Sequence, residues 1–288
     1  TTAGSAGKGV NQTPGTTKRP LLVISDPAEW KSYCRSLALR GTIGFVPTMG
    51  ALHAGHASLI RRSAEENDFT LVSIFVNPTQ FNDPKDLQAY PRTVEADSAI
   101  LAAAGATALF LPNPDTMYPD KYAYKITESG LSGRFCGAFR PGHFDGVLSV
   151  VMKLLQLAGA DRAYFGEKDY QQYLLIRGMA EAYFLDTRIV PCPTVREGSG
   201  LAMSSRNTRL STGGLDAASA LYRAISGSAD CQAARELLEK DGFKVEYVED
   251  FTDERTGSVR RLAAVWLEGV RLIDNVAVGS TGARESGS

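Results

Sequence analysis

The first candidate catalytic residues are two histidines that lie three residues apart in a glycine-containing turn. His53 and His56 lie within Gly44–Arg62, GFVPTMGALHAGHASLIRR, and the chain has only one other histidine, His143. Imidazoles at a helix start can donate hydrogen bonds to phosphoryl oxygens whose negative charge grows in a transition state. The pair therefore indicates nucleotidyl transfer. The alternative is that both rings only cap and pack the helix.

The letters of this turn argue against three commoner kinds of site. His56 and Ala57 stand where a phosphate loop needs Lys followed by Ser or Thr. The next strand ends in Val76-Asn77-Pro78, without the acid that a dinucleotide-binding fold places on the ribose. No Cys or acidic residue lies at zinc-ligand spacing from the histidines. We expect neither a nicotinamide cofactor nor a histidine-bound metal.

Three further polar groups could serve a nucleotide or a small acid. Asn77 and Gln80 follow a predicted strand and could orient a polar acid, although Asn-Pro also favours a plain turn. Lys168 can reach a phosphate and Asp169 can accept from ribose hydroxyls, although both also suit an exposed helix start. The hydroxyls and guanidinium of Ser204–Arg206 could close over a triphosphate, or Ser205 or Asn207 could cap a helix.

Alternating strands and helices must position these residues. The apolar, β-branched run Thr70–Val76 predicts a strand covered on both faces. Gly44–Val46 predicts a neighbouring strand that Pro47 stops, with a helix from about His56. Further helices are predicted at residues 27–39, 93–104, 147–157 and 170–183, and further strands at 21–24, 106–111 and 163–165. The alternation predicts an α/β fold, a Rossmann-like doubly wound parallel sheet with ligands at the carboxyl ends of its strands.

Composition divides the chain into three segments. Residues 1–20 are rich in Gly, Thr and Ser and contain no acid, which predicts a disordered tail. Residues 21–194 carry the Rossmann-like pattern. Residues 195–288 change to two helices followed by alternating strands, which predicts a smaller α+β C-terminal lid domain. Within it, the charged run Asp253–Arg261 is predicted to be a solvated hairpin.

Charge and cysteine content limit the partners and the compartment. A formal net charge of -1 and a pI near 6.3 argue against a nucleic-acid or anionic-membrane surface. The chain has no apolar run long enough to cross a bilayer. Its four cysteines lack disulfide-scaffold or CxxC spacing, which favours a reducing compartment. We therefore expect a cytoplasmic protein that acts on small molecules.

Six motifs together carry a resemblance to a known family. They are PTMGALHAGH at 47–56, FVNPTQF at 75–81, YPRT at 90–93, RPGHF at 140–144, FGEKDYQQ at 165–172 and GLAMSSRN at 200–207. The first resembles the histidine-glycine-histidine signature of the nucleotidylyl transferases. All six, in order and spacing, resemble the pantoate–β-alanine ligase family, and the resemblance runs from about residue 21 to 278.

This resemblance implies an activity. ATP and pantoate would give a bound pantoyl adenylate and pyrophosphate, after which β-alanine would attack to release pantothenate and AMP. It also implies Mg²⁺ and a homodimer, and it makes residues 21–194 the ATP- and pantoate-binding domain.

The resemblance also implies roles for individual residues. The catalytic groups would be His53, His56, Lys168, Ser204, Ser205 and Arg206. ATP would further contact Pro47, Met49, Gly50, Gly166, Asp169, Val195 and Met203. Pantoate would contact Met49, Asn77, Gln80 and Gln172. Asp97 is the candidate Mg²⁺ ligand, although Ala96 stands where the family often has another acid, and a helix-surface carboxylate is the alternative.

Two other functions are compatible with the residues. One is an adenylyltransferase that joins a nucleotide to a phosphorylated acceptor, which would not release AMP to an amine. The other is a non-catalytic nucleotide-binding regulator that retains the fold, which would bind ATP without releasing pyrophosphate.

Overall fold

The structure is a computed structural model that describes residues 21–279. The predicted tail at residues 1–20 lies outside the described residues. Within them, the chain forms a six-stranded sheet followed by a three-stranded sheet. The change of pattern near residue 195 therefore corresponds to a change of architecture, whereas the boundary between residues 194 and 195 remains a prediction.

The larger sheet is wholly parallel. Its strands are β1 Leu22–Ile24, β2 Ile43–Thr48, β3 Phe69–Ile74, β4 Ala108–Phe110, β5 Arg162–Gly166 and β6 Arg188–Cys192. They lie in the order β1-β4-β3-β2-β5-β6, and every neighbouring pair is parallel. The predicted doubly wound α/β sheet is confirmed.

The order of strands defines where a ligand can enter. From β2 the chain builds outward through β3 and β4, and it then returns to the other side of β2 for β5 and β6. The connections after β2 and β5 therefore leave in opposite directions, which opens a crevice at the carboxyl ends of these two strands. The histidine turn follows β2 and the Gly166–Asp169 turn follows β5, so both border this crevice.

Helices connect the strands and cover both faces of the sheet. They are α1 Pro27–Ala38, α2 Ala54–Glu66, α3 Pro84–Gln88, α4 Val94–Ala104, α5 Pro114–Met117, α6 Cys136–Phe139, α7 His143–Ala158 and α8 Tyr170–Ala182. Phe45 and Leu71 belong to one buried cluster, and their chain neighbours Val46 and Val72 belong to another. Successive residues of a strand point to opposite faces, so β2 and β3 are buried on both. No helix within residues 21–279 is long and apolar enough to cross a membrane.

Two sequence expectations about the motif segment were wrong in their bounds. Strand β2 continues through Pro47 to Thr48 instead of stopping at the proline. The oxygens of Thr42 and Thr48 accept from Phe69 and Phe75 on the β3 side, so the alternation turns Pro47 toward β5. Pairing with β5 ends at Phe45, so no ladder bond needs the missing N–H. Helix α2 begins at Ala54, two residues before His56, because His53 caps it.

One strand escaped the sequence analysis altogether. Strand β6 is short and contains Pro191, and a proline within an apolar run ordinarily argues against a central strand. Here β6 is at the edge of the sheet and pairs only with β5, so the proline is tolerated. Its last residues lead directly into the segment that carries Val195.

The C-terminal part packs two helices on a small antiparallel sheet. Its elements are α9 Thr212–Gly227, α10 Cys231–Lys240, β7 Lys244–Thr252, β8 Val259–Leu267 and β9 Val270–Val278. The sheet order is β7-β8-β9. The predicted hairpin at Asp253–Arg261 is present, but the residues at its two ends are buried instead of solvated. Asp253 is buried and pairs with Arg177 at 3.1 Å, and Arg261 is buried and pairs with Asp250 at 2.8 Å.

A glycine in α7 lets this helix approach the turn after β3. The carbonyl of Gly146 accepts from the Asn77 side chain at 3.1 Å. A Cβ at Gly146 would lie 2.5 Å from the Thr79 oxygen and 2.8 Å from the Gln80 nitrogen. With a Cβ at this position, the backbone of Thr79 and Gln80 would have to move. A glycine is therefore required for Gln80 to lie where it does.

We expect Gly146→Ala to lower the free energy of unfolding by about 1–3 kcal/mol, because the methyl group overpacks a backbone contact. Gly178→Ala in α8 is the matched control, since a Cβ there meets nothing within 4 Å. That variant should gain up to about 1 kcal/mol from helix propensity. Denaturant unfolding of the two variants measures the difference, and equal stabilities would contradict the role assigned to Gly146.

Candidate active site

The turn after β2 is held by a buried carboxylate. Asp97 on α4 is 1% exposed, and it accepts from the Ala51 N–H at 3.0 Å and the Leu52 N–H at 2.8 Å. Thr93 donates to the same carboxylate at 3.2 Å. The turn needs such an anchor because Gly50 and Ala51 have φ of +81° and +50°, and a left-handed alanine is strained. Asp97 is therefore not the surface carboxylate that the sequence left open.

Both histidines of the motif act as helix caps. The Gly55 N–H donates to His53 Nδ1 at 3.1 Å, and the His53 N–H donates to His56 Nδ1 at 3.3 Å. Their ring centroids are 4.1 Å apart. Because Nδ1 accepts in each ring, a neutral imidazole must carry its proton on Nε2. Both rings therefore cap the helix, but each keeps a free donor on Nε2, so their role toward phosphate stays a prediction.

The charge state of the rings follows from their surroundings. Burial lowers the pKa of His53 to about 4, with a contribution from the positive charge of Lys168. Burial lowers the pKa of His56 to about 3, with a contribution from His53 beside it. Both rings are therefore neutral near pH 7. Each can donate to an anionic oxygen from Nε2 without bringing a full charge into the crevice.

The turn after β5 faces the histidines and is secured by the small sheet. Asn275 on β9 donates from Nδ2 to the carbonyls of Glu167 and Lys168 at 2.8 and 3.0 Å. Arg260 on β8 pairs with Glu167 at 2.8 Å. Lys168 Nζ lies 3.7 Å from the Asp169 carboxylate. The C-terminal sheet therefore fixes the backbone of this turn and leaves the Lys168 side chain at the crevice.

The amide residues after β3 have different tasks. Asn77 is 1% exposed, and its Nδ2 donates to the Gln80 Oε1 and the Gly146 carbonyl at 3.1 Å each. Tyr118 donates its hydroxyl to Asn77 Oδ1 at 2.7 Å. Because these bonds use both protons of its amide, Asn77 supports Gln80, and its contact with pantoate stays a prediction. Gln80 Nε2 contacts Met49 Sδ at 3.2 Å on the crevice side.

The serine and arginine segment closes the other side of the crevice. Ser204 caps the short 3₁₀ helix Ser205–Arg209 by accepting from the Arg206 N–H. The Ser205 hydroxyl lies 3.3 Å from that of Tyr90. Arg206 pairs with Asp86 on α3 at 3.0 Å. A carboxylate on helix α3 therefore orients the guanidinium toward the crevice.

One cleft of about 220 Å³ brings nearly all the predicted residues together. The predicted residues that line it are Pro47, Met49, His53, His56, Asn77, Gln80, Gly166, Lys168, Asp169, Gln172, Val195, Met203, Ser204, Ser205 and Arg206. Gly50 and Asp97 lie behind it, in the turn and its anchor. Tyr90 lines the cleft too and was not assigned a role, although it belongs to the quoted YPRT motif. A site for a nucleotide and a small acid fits this set of cations, amides and neutral donors.

Comparison with known proteins bears on the identity of this site. A family model described as pantoate-beta-alanine ligase matches residues 22–277. Pantothenate synthetase of Bdellovibrio bacteriovorus is 50% identical over 256 residues, covering 89% of this chain and 99% of that protein. The chain belongs to the pantoate–β-alanine ligase family. The pantothenate synthetase of Coxiella burnetii is 46% identical over 254 residues, which are 88% of this chain and 96% of that protein.

Solved ligases of this family share the fold. The pantoate–β-alanine ligase of Francisella tularensis, solved in complex with β-γ ATP and β-alanine, has a TM-score of 0.82 and 39% identity. The alignment covers 89% of this chain and 97% of that one. Pantothenate synthetase of Thermus thermophilus gives the same score and identity over 89% of this chain and 99% of that one. Family membership and the ligase activity that it carries are thus confirmed, and the role of each residue is a prediction.

Asp97→Asn separates an anchor of the turn from a metal ligand. The substitution replaces one carboxylate oxygen by an NH₂ group, which would face a backbone N–H of the turn. Because two donors repel each other, the turn and its two histidines would shift. We expect kcat to fall on the order of 100-fold, because displacing reacting groups by about 1 Å has that effect. The Mg²⁺ dependence of the rate should stay unchanged. Steady-state rates over a range of Mg²⁺ concentrations measure both.

The exposed acid Glu95, in the first turn of the same helix, provides the control. Glu95→Gln removes the same charge without touching the turn, so its rate should match that of the unmodified chain. Recovery of Asp97→Asn by high Mg²⁺ would show that Asp97 is a metal ligand and contradict the anchoring role.

Proposed function

We propose that this chain condenses pantoate with β-alanine in two ATP-dependent steps through a pantoyl adenylate. The observation that carries the proposal is one cleft in which neutral histidine donors, Lys168 and Arg206 lie together with the amide of Gln80. The Francisella ligase, related over almost its whole length, was solved with an ATP and β-alanine. Both substrates fit the chemistry of this cleft.

In the first step, a pantoate carboxylate oxygen attacks the α-phosphorus of ATP. The bond from that phosphorus to the bridging oxygen breaks, and pyrophosphate leaves with the electron pair. Little acid-base chemistry is needed, because the barrier comes from bringing two anions in line. His53 and His56 are proposed to donate from Nε2 to the oxygens on which charge grows. Lys168 and Arg206 are proposed to bind the phosphates.

In the second step, the β-alanine amine attacks the acyl carbon of the adenylate. The bond from that carbon to the phosphate oxygen breaks, AMP leaves, and the amine loses a proton as the amide forms. The cleft is proposed to hold the acyl group against Gln80 and Gln172 and to limit hydrolysis of the acyl adenylate. The remaining contacts are proposed from the family resemblance: Gly166 and Asp169 with ribose, Val195 and Met203 with adenine, Pro47 and Gly50 with ATP, Met49 and Asn77 with pantoate, and Ser204 and Ser205 with phosphates.

Magnesium is proposed to enter with ATP. Among residues 21–279 no group of three or more His, Cys, Asp or Glu side chains could hold a metal ion. Mg²⁺ commonly binds substrate phosphates with one or two protein carboxylates, so the absence of a protein cage fits a nucleotide-borne ion. When bound, it would neutralise phosphate charge. The homodimer and the cytoplasmic location remain predictions.

Two substitutions test the histidines without disturbing the helix cap. His53→Asn retains a favoured N-cap residue, and His56→Gln retains a capping-box residue at the third helical position. Each variant loses the Nε2 donor, so we expect kcat to fall roughly 100–1000-fold with little change in KM. Unfolding midpoints should stay near that of the unmodified chain. Near-normal turnover in these folded variants would refute the transition-state role.

The pH dependence gives a separate check on the same rings. The folded pKa values of about 4 and about 3 lie below the ordinary histidine value, so both rings stay neutral as pH falls through 6.5. We expect kcat for the first step to show no histidine titration near pH 6.5 and to fall only toward pH 4. A loss of activity centred near pH 6.5 that disappears in His53→Asn would contradict this.

Pyrophosphate release tests the proposed sequence of steps. With ATP, Mg²⁺ and pantoate, we expect a single burst of pyrophosphate equal to the enzyme present. Adding β-alanine should convert it to steady turnover with AMP and pantothenate as products. Release that does not depend on pantoate would refute the substrate, and steady AMP formation without an amine would refute the ligase sequence.

A further inference from the structure

The RPGHF motif has no part in the steps above, yet it contacts the residue proposed to hold pantoate. His143 begins α7 and is 7% exposed. Its Nδ1 lies 2.8 Å from the Gln80 carbonyl oxygen, which can only accept, so Nδ1 carries the proton. Its Nε2 is then an acceptor, and Arg140 donates to it at 3.1 Å. Burial and the charge of Arg140 lower the pKa of His143 to about 3, so the ring is neutral.

Arg140 is a partly buried cation whose side-chain hydrogen-bond partners are both neutral. Besides His143, it donates to the Gln80 carbonyl at 3.2 Å. Two of its five N–H donors are thus used. Arg140 takes part in no ion pair within residues 21–279, whereas its neighbours Arg206 and Arg271 pair with Asp86 and Glu246.

The electrostatics around Arg140 favour an anion. Burial lowers the pKa of Arg140 to about 10, with contributions from the repulsion of Arg206 and Arg271. A guanidinium in such surroundings gains more from a carboxylate than one in open water, because fewer water molecules compete and less screening occurs. The planar fork suits a carboxylate in particular.

A chamber next to the cleft gives an anion access to Arg140. It has a volume of about 530 Å³, lies against the small antiparallel sheet, and is lined by Arg140, His143 and Arg271. The residues that line both the chamber and the cleft are Lys168, Asp169, Gln172, Ser204 and Arg206. A molecule held in the chamber therefore faces the place where the acyl adenylate would form.

We propose that Arg140, positioned by His143, binds the carboxylate of the β-alanine nucleophile from the chamber side. This inference rests on the proposed function. β-Alanine has two methylene groups between its carboxylate and its amine. Arg140 contacts the backbone of Gln80, whose side chain is proposed to hold pantoate, so a carboxylate bound to Arg140 would direct the amine toward the cleft that the chamber adjoins. The site selects an amine that carries a carboxylate at this separation.

The assignment is tested with the variant Arg140→Gln and, in parallel, with a nucleophile that has no carboxylate. Pantoate-dependent exchange of pyrophosphate into ATP reports the first step. A retained exchange rate shows that the variant is folded. We expect exchange to stay within about threefold of the unmodified chain, while the KM for β-alanine rises roughly 10–100-fold. With hydroxylamine as the nucleophile, hydroxamate formation should be the same in both proteins.

Three further variants sharpen the result. Arg140→Lys keeps the charge but loses the fork, so its KM for β-alanine should fall between those of the other two. His143→Asn can still donate to the Gln80 carbonyl but loses the contact with Arg140, and it should raise the same KM less than Arg140→Gln. Lys85→Gln removes an exposed cation that lines the same chamber, and it should leave that KM unchanged.

Several outcomes would overturn the assignment. They are an unchanged KM for β-alanine in Arg140→Gln, an equal loss with hydroxylamine, and a loss of pyrophosphate exchange in both Arg140 variants. If Lys85→Gln raised the KM for β-alanine as much as Arg140→Gln does, the effect would come from the general positive charge of the chamber, and the assignment would also be overturned. Absence of pantoate-dependent exchange in the unmodified chain would refute the proposed function instead, so the two failures are distinguishable.

Discussion

The carboxylate of Asp97 is the constraint on which the rest of the site depends. A turn with two consecutive left-handed residues is costly, and here it must end in two histidines at a helix start. The buried carboxylate offsets that cost by accepting both N–H groups of the turn. Helix α4, which carries Asp97, packs beside α2 through a shared apolar cluster that includes Ile60 and Leu101. A distant helix thus determines the direction in which the proposed catalytic rings face.

The second constraint is the position of the small sheet against the large one. Asn275 and Arg260 hold the turn after β5 from the C-terminal side, and Arg196 pairs with buried Asp274 at 2.6 Å beside the segment that leads to Met203. The small sheet therefore supports segments that line the cleft. The cations and neutral imidazoles of the cleft give it a positive field without several charged histidines repelling one another, which suits ligands that arrive as anions.

Sequence alone determined the fold class and most of the candidate site. Hydrophobic period, strand composition and glycine turns are local properties, so the alternation of strands and helices follows from neighbouring residues. The resemblance of six motifs then gave the family, since ordered motifs identify relatives even where each is short. Bounds near Pro47 and the strand at Arg188–Cys192 were missed, because tolerance of a proline depends on which side of a strand is paired.

Only the tertiary structure decided what individual polar groups do. Asp97 and Asn77 were predicted to contact ligands, and the structure adds a second task for each, because Asp97 holds the turn after β2 and Asn77 supports Gln80 through partners far away in sequence. Arg140 had no assigned role, and its partner Gln80 and its cationic neighbours Arg206 and Arg271 come from separate parts of the chain. Burial, hydrogen-bond partners and electrostatic environment are set by contacts between distant residues. The sequence supplies the functional groups, and the fold determines which of them remain free to meet a ligand.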